Sequence, residues 1–87
     1  MAWTIKLSDK AIKALGKLDK PIAKRIYREL QEIEQLDDPQ QRGKALTGNL
    51  RGLWRYRVGD YRIVCTIESG ELVVLVIDIA HRSEVYR

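Results

Sequence analysis

The fold is decided by residues 52–65, which read GLWRYRVGDYRIVC. Apolar and charged side chains alternate along this stretch, which is the period of two expected of half-buried strands. Gly59 and Asp60 interrupt the alternation in the middle. A glycine can take the positive φ that the first position of a two-residue hairpin turn requires. The stretch therefore predicts two antiparallel strands joined by a tight turn.

Three arginines are predicted to project from one face of this hairpin. A two-residue turn sets Arg57 directly opposite Arg62, and Arg55, two residues before Arg57, shares their face. Like charges opposite one another destabilise a strand pair by roughly 0.2–1 kcal/mol. We therefore interpret the cluster as an anion site, because the planar guanidinium group suits phosphate. In the alternative interpretation the arginines extend into water or pair with nearby carboxylates, namely those of Glu68, Glu71 or Glu84.

Before the hairpin, the sequence predicts a strand over 3–7 and two helices. Ser8 or Asp9 can cap the first helix, because a side-chain oxygen there accepts from a free amide of the first turn. The second helix is predicted to begin near Pro21, whose fixed φ suits a first turn, and to end near Leu36. Apolar residues at helical spacing predict the buried stripes. These are Ala11, Ile12, Leu15 and Leu18 in the first helix, and Ile22, Ala23, Ile26, Tyr27, Leu30 and Ile33 in the second.

A basic loop over 40–52 precedes the hairpin strands, which are predicted over 53–58 and 61–68. A third strand over 72–79 follows a second turn at Ser69 and Gly70. This strand is apolar on both faces, which predicts an interior position with the first strand on its other edge. The result is one α+β domain over residues 1–87, of order β-α-α-β-β-β. Two helices cover one face of a small, mostly antiparallel four-stranded sheet.

On the arginine face, the alternation predicts an apolar floor beneath the guanidinium groups. A floor of this kind excludes water and strengthens the interaction of the arginines with an anion. Its expected members are Val64, Val73, Leu75 and Ile77.

The basic residues are concentrated around the hairpin. The chain has a net charge of +4, and residues 42–67 contain six arginines or lysines and a single acidic residue, Asp60. A local basic field of this kind suits a polyanion, with nucleic acid the usual candidate. A solvated surface loop is the alternative interpretation.

The composition excludes several classes of function. One histidine and one cysteine cannot build a metal site, and no glycine-rich nucleotide-binding motif occurs, so we expect no cofactor. Cys65 lies in an apolar strand and is expected to be a buried, inert thiol. The longest apolar run covers only residues 72–77, whereas a span of the bilayer takes about 20. We therefore expect a cytoplasmic protein.

Arginine, tyrosine and a single histidine suit metal-free cleavage of RNA. In this reaction the 2′-hydroxyl attacks its own phosphate, and cations stabilise the charge that develops on the phosphoryl oxygens. A base removes one proton and an acid supplies another. His81, with an ordinary pKa near 6.5, is one candidate. Tyr86 is another, since surrounding cations would lower its usual pKa of about 10. A structural histidine and a packing tyrosine are the alternatives.

Two motifs resemble those of the RelE/ParE toxin superfamily, and of RelE more closely. They are GNLRGLWRYRVGDYR over residues 48–62 and HRSEVY over residues 81–86. The resemblance implies the toxin of a bacterial or archaeal type II toxin–antitoxin system. Such a toxin enters the ribosomal A site, cuts mRNA there without a metal and inhibits translation. The implied partners are mRNA on the ribosome and a RelB-like antitoxin protein.

The resemblance also implies a role for each site residue, carried over by position. Phosphate and transition-state stabilisation is assigned to Arg55, Arg57, Arg62 and Arg82. Tyr86 is assigned acid–base catalysis, with His81 in reserve, and Lys44 and Arg51 are assigned contacts to the RNA backbone. Two other functions stay open on the sequence. One is a ParE-like, non-nuclease toxin that inhibits DNA gyrase and does not need the clustered cations, and the other is an RNA-binding domain without turnover.

Overall fold

The computed structural model describes residues 3–85 as five strands and three α-helices, with two short 3-10 turns. The strands are β1 (Thr4–Leu7), β2 (Lys44–Ala45), β3 (Trp54–Val58), β4 (Tyr61–Glu68) and β5 (Val73–His81). The helices are α1 (Asp9–Gly16), α2 (Lys20–Gln35) and α3 (Arg82–Val85). The 3-10 turns span Pro39–Gln41 and Gly48–Leu50. Among the described residues, no helix has both the length and the apolarity to cross a bilayer.

The strands form one sheet in the order β1-β5-β4-β3-β2. Strand β1 runs parallel to β5, and the other pairs are antiparallel. The predicted α+β class and the interior position of β5 are therefore confirmed. The predicted strand count is wrong by one, because the loop before the hairpin contributes the two-residue strand β2 to the edge beside β3.

Helix α1 begins as its cap predicts. The Ser8 hydroxyl accepts from the amide of Ala11 at 3.1 Å and donates to the Ile77 carbonyl at 3.0 Å, which also fixes α1 to β5. Ala11 and Leu15, one turn apart, are buried against the sheet. The expected burial of Ile12 is wrong, since its side chain is 53% exposed. Ile12 lies about 100° around the helix from Ala11, outside the narrow line along which this short helix meets the sheet.

Helix α2 has the predicted bounds within one residue, and it is about 24 Å long. Pro21 lies in its first turn, as expected. Its buried stripe contains Ile26, Leu30 and Ile33. The expected burial of Tyr27 is wrong, because its ring lies to one side of this stripe and is 49% exposed.

The hairpin turn is confirmed, and the turn after it includes Ser69 and Gly70 as predicted but is longer. Gly59 has a φ of +58°, and Val58 pairs with Tyr61 as a two-residue turn requires. In the β4–β5 connection, Glu68 pairs with Val73, so four residues rather than two form the turn. The chain closes it with Leu72 at a φ of +56°.

The main core lies between the helices and one face of the sheet, which we call the helix face. Tyr56 is buried at its centre, 1% exposed, and its hydroxyl donates to the carbonyl of Pro39 at 2.7 Å. Burial raises the pKa of this phenol well above its ordinary value. The buried members of the core are Ala11, Leu15, Ile26, Leu30, Ile33, Tyr56, Val58, Ile63, Cys65, Val74, Val76 and Ile79.

Candidate functional site

The three hairpin arginines share one face of the sheet, opposite the helix face. Arg57 pairs directly with Arg62 across β3 and β4, and Arg55 pairs with Val64. We call this side the arginine face. Arg57 is exposed, whereas Arg55 and Arg62 are half-buried. Among the side chains that the structure describes, neither Arg55 nor Arg57 forms an ion pair with a carboxylate. The clustering that the sequence predicts is therefore present.

Strand β2 adds a fourth cation to this face. Lys44 pairs with Arg55 across β2 and β3, so the lysine that the sequence places in a loop lies on a strand. Gly43 makes this pairing possible, because it has a φ of +78° and a Cβ atom there would collide with the Arg55 carbonyl. The indole of Trp54 donates to the Arg42 carbonyl at 2.8 Å and holds the segment in place. The result is two adjacent rows of opposed cations.

A break in the strand register brings a carboxylate to the same face. Between Val64 and Cys65 the pairing of β4 with β5 shifts by one residue, and Asp78 then pairs with Val64. Ile77, which the sequence predicts for the apolar floor, has no partner at this shift, and it borders the same cleft as Val64 and Asp78. The Asp78 carboxylate accepts from the amide of Ile79 at 2.9 Å and lies 3.5 Å from the Lys10 ammonium. An aspartate within an otherwise apolar strand was the only sequence signal for this residue.

The rest of the floor is as expected. Val64 is buried, and Val73 and Leu75 are half-buried on the same face. Leu46, which the sequence does not single out, is also buried and lies outside the helix-face core. Its amide donates to the Leu53 carbonyl at 2.9 Å, which continues the edge pairing beyond β2. The cations therefore stand on an apolar surface that is separate from the main core.

The residues at the end of β5 lie at the hairpin turn. The backbone amide of Arg82 donates to the Asp60 carbonyl at 2.7 Å, and the guanidinium is 3.9 Å from the Asp60 carboxylate. Both side chains are about two-thirds exposed, at 67% and 65%. A pair this long and this exposed contributes little stability. Arg82 therefore lies at the end of the sheet where Arg57 and Arg62 face each other.

His81 is oriented differently from the arginines. It pairs with Tyr61, and the two rings meet edge to face with centroids 5.2 Å apart. Tyr61 packs against the helix-face core, whereas Arg62 projects from the other side. The His81 Nδ1 atom lies 2.8 Å from the Ser83 hydroxyl. The ring is thus held beside Tyr61 at the border of the site.

One predicted site residue, Arg51, has no described contact with the cation rows. Arg51 is exposed in the segment between Leu50 and Leu53, just after the second 3-10 turn. Tyr86, the predicted acid–base residue, lies outside the described residues.

A cleft of about 870 Å³ opens beside Arg62. It follows the part of β5 beyond Val76, where the pairing with β1 has ended. Helix α1 forms one wall, and the opposite wall combines apolar and charged groups: Leu50, Leu53, Arg62, Val64, Asp78 and His81. Such a surface can hold a phosphate group against cations while apolar side chains exclude water.

The cysteine takes no part in this chemistry. Cys65 is fully buried in the helix-face core, and burial raises the pKa of its thiol to about 12. The thiolate is the reactive form of cysteine, so this side chain is inert at neutral pH, as the sequence predicts.

Comparison with known proteins identifies the family. A family model described as the ParE toxin of the type II toxin–antitoxin system parDE matches residues 5–86. Toxin RelE from Mycobacterium tuberculosis is 46% identical over 52 residues, which are 60% of this chain and 54% of that protein. The chain thus spans about half the length of this curated relative.

Solved structures agree on the fold. The toxin–antitoxin complex RelBE2 from Mycobacterium tuberculosis matches with a TM-score of 0.84 at 24% identity, over 95% of this chain and 94% of that chain. The archaeal RelE–RelB complex from Pyrococcus horikoshii OT3 matches with a TM-score of 0.74 at 26% identity, over 94% and 97% of the two chains. With a family match over nearly its whole length, this chain belongs to the ParE toxin family of type II toxin–antitoxin systems and has a RelE-like fold.

Proposed function

We propose that this RelE-like chain is an endoribonuclease that cleaves mRNA in the ribosomal A site and thereby inhibits translation. The observation that carries the proposal is the arginine face, where Lys44 opposes Arg55 and Arg57 opposes Arg62 beside an open cleft. Two rows of like charge lower the stability of the sheet edge. A bound polyanion would offset that cost, and RNA supplies one.

The proposed reaction needs no group beyond the protein and the RNA. The 2′-oxygen of a nucleotide forms a bond to the adjacent phosphorus, and the bond from phosphorus to the 5′-oxygen breaks. The products are a 2′,3′-cyclic phosphate and a 5′-hydroxyl. A base takes the proton of the 2′-hydroxyl, and an acid gives one to the leaving 5′-oxygen. The guanidinium groups stabilise the charge that builds on the phosphoryl oxygens.

Each site residue has a role in this proposal. The phosphate and its transition state are assigned to Arg55, Arg57, Arg62 and Arg82, and the RNA backbone is assigned to Lys44 and Arg51. Tyr86 is assigned proton transfer. His81 borders the cleft and is the alternative, and the packing of its ring against Tyr61 makes it the second choice. The same cationic surface would let a RelB-like antitoxin inhibit the toxin by covering it, and the solved relatives are themselves complexes with RelB.

A programmed-ribosome assay tests the proposal. Purified protein is added to ribosomes that carry a defined mRNA, with no metal beyond what the ribosomes need, and primer extension maps the new 5′ ends. We expect cuts in phase with the codons. Arg82→Ala and Tyr86→Phe should slow cleavage by about a hundredfold, the order expected for loss of one transition-state or proton-transfer group.

Matched controls separate chemistry from folding and from charge. Lys24→Ala removes an exposed cation from α2, and Tyr27→Phe removes an exposed tyrosine hydroxyl from the same helix, so neither should change the rate. Intact mRNA with well-folded protein would overturn the nuclease proposal. If the protein instead blocked supercoiling by DNA gyrase, a toxin of the other type in the superfamily would replace it.

A further inference from the structure

Helix α1 and the residue that follows it, Lys17, present a row of lysines to the cleft. Lys10, Lys13 and Lys17 are spaced by three and four residues, which places them on one side of the helix. All three side chains are exposed, and all three border the cleft that Arg62 borders from the sheet. The cleft therefore has cations on two walls, and the proposed function uses only the cations of the sheet wall.

The lysine row resembles the arginine face because it also places like charges close together. Like charges at these spacings destabilise a helix by about 0.2–0.5 kcal/mol per pair. Lys10 lies 3.5 Å from Asp78, a residue of the cleft itself. Among the described side chains, Lys13 and Lys17 have no carboxylate within ion-pair distance. The lysines of this eight-residue helix and its cap therefore repel one another and face an open cleft instead of a surface that would neutralise them.

The length of the row indicates the kind of ligand. Lys17 is seven positions after Lys10, so the row extends about 10 Å along the helix axis. A single phosphate would contact one lysine or two at most. A chain of phosphates can contact them all, and successive phosphates are what a nucleic acid backbone supplies.

We propose that the lysine row of α1 binds the phosphodiester backbone of RNA that continues from the nucleotides held at the arginine face. The inference rests on the proposed function for the identity of the ligand as RNA. It adds a second contact surface across the cleft, which would hold RNA on both sides of the reacting phosphate. Binding at two walls fixes the path of the RNA through the cleft. This path determines which phosphate reaches the arginines.

The test uses two variants with the same change in charge. Lys13→Gln/Lys17→Gln removes two lysines of the row, and Lys20→Gln/Lys24→Gln removes two exposed lysines of α2, outside the cleft, at the same spacing. Fluorescence anisotropy measures their affinity for a single-stranded 2′-O-methyl RNA, which cannot undergo cleavage, over a range of salt concentrations. Thermal unfolding confirms that both variants fold.

The expected change follows from counterion release. Each lost phosphate contact on a single strand lowers the magnitude of the log–log salt slope by about 0.7, so the row variant should lose about 1.4. The same relation gives about 25-fold weaker binding at 0.1 M salt, with the difference vanishing near 1 M. The control variant should bind like the unchanged protein. Equal losses in both variants, or no loss in either, would overturn the inference in this assay.

A second measurement distinguishes mRNA from ribosomal RNA as the source of the phosphates. Sedimentation with vacant ribosomes is repeated on both variants. If the row variant loses ribosome binding but keeps its affinity for the single-stranded RNA, the row belongs to a contact with ribosomal RNA and the proposed continuation of the substrate strand is overturned. If neither free RNA nor ribosome binding depends on the row beyond the control, the inference fails. The same anisotropy measurement is made with a poly-glutamate peptide. If the row variant loses affinity only for this peptide, the lysine row binds an acidic protein partner and the inference is overturned.

The cleavage assay keeps this inference separate from the proposed function. If the unchanged protein cuts mRNA on ribosomes but the row has no effect on RNA binding, the inference fails and the nuclease stands. If the row binds RNA but the unchanged protein cuts nothing, the nuclease fails and the row remains an RNA-binding surface.

Discussion

The two faces of the β3–β4 hairpin use the same strands for opposite purposes. On the helix face, Tyr56, Val58 and Ile63 are buried and belong to one continuous apolar core. On the arginine face, Arg57 and Arg62 stand opposite each other with like charge. The side chains of one strand alternate between the two faces, so a residue that packs in the core is followed by one that adds charge to the surface. The comparison shows how a small domain can hold an unfavourable charge cluster without losing its fold.

The contrast extends to polar groups. On the helix face the buried phenol of Tyr56 has a hydrogen-bond partner, because its hydroxyl donates to the Pro39 carbonyl. On the arginine face the cations Arg55 and Arg57 have no carboxylate partner among the described side chains. A buried polar group without a partner would cost about 1–3 kcal/mol, whereas exposed cations are hydrated and cost far less. The exposure of Arg57 and the partial exposure of Arg55 therefore permit the charge cluster.

The largest expected effect comes from removing charge on the arginine face. Arg57→Gln should slow ribosomal mRNA cleavage by about a hundredfold, since one group that stabilises the transition state is lost. The same variant should be more stable than the unchanged protein by roughly 0.2–1 kcal/mol, because the repulsion across the strand pair is relieved. Cleavage on programmed ribosomes and urea unfolding measure the two quantities. Lower activity together with lower stability would show that Arg57 has a structural role. That result would contradict the view that the arginine face lowers stability while the helix face provides it.

The next effect belongs to the helix face and depends on pH. Burial raises the pKa of Cys65 to about 12, whereas the unfolded thiol has a pKa near 8.5. Between these values the unfolded chain binds fewer protons than the folded one, so stability falls as pH rises. The fall amounts to about 1.4 kcal/mol per pH unit for one such group.

Cys65→Ala should remove this part of the pH dependence. We expect the free energy of unfolding of the unchanged protein to decrease between pH 9 and 10 more steeply than that of the variant, by about 1.4 kcal/mol per unit. Val74→Ala is the control, because it truncates another buried residue that does not ionise. Parallel curves for Cys65→Ala and the unchanged protein would mean that the thiol is accessible to solvent.

Local signals explain how much of the fold could be predicted from the sequence. The hairpin follows from a glycine turn between alternating residues, and the Ser8 cap and Pro21 mark where the helices begin. The exposure of Ile12 was missed because helical spacing shows which residues share a side of a helix and not how wide the contact with the sheet is. Strand β2 was missed because two residues carry too weak a pattern, and only pairing with β3 makes them a strand.

The candidate site was predictable to the same extent. The common face of Arg55, Arg57 and Arg62 follows from alternation and turn length alone. Their neighbours depend on tertiary pairing, so the register of Lys44 beside Arg55 was invisible in the sequence. The position of Asp78 was also invisible, since a one-residue shift between paired strands reverses which residues share a face.

The smallest expected effect tests that shift, because it brings the carboxylate of Asp78 to the face where Arg55 and Arg62 lie. Asp78→Asn keeps an oxygen that can accept from the Ile79 amide and removes the negative charge beside Lys10. If the freed Lys10 gains one phosphate contact, single-stranded RNA should bind about fivefold more tightly at 0.1 M salt, with a log–log slope steeper by about 0.7. Stability should change by at most about 1 kcal/mol, the range for an exposed ion pair.

Fluorescence anisotropy with the uncleavable RNA measures this change, and Asp19→Asn, an exposed aspartate outside the cleft, is the control for net charge. Equal gains in the two variants would mean that the effect is long-range and that Asp78 has no special position. Weaker binding by Asp78→Asn would mean that the carboxylate holds Lys10 in place for RNA instead of competing with it. Either result would show that the arginine face tolerates the negative charge of Asp78 for a different reason from the one its geometry indicates.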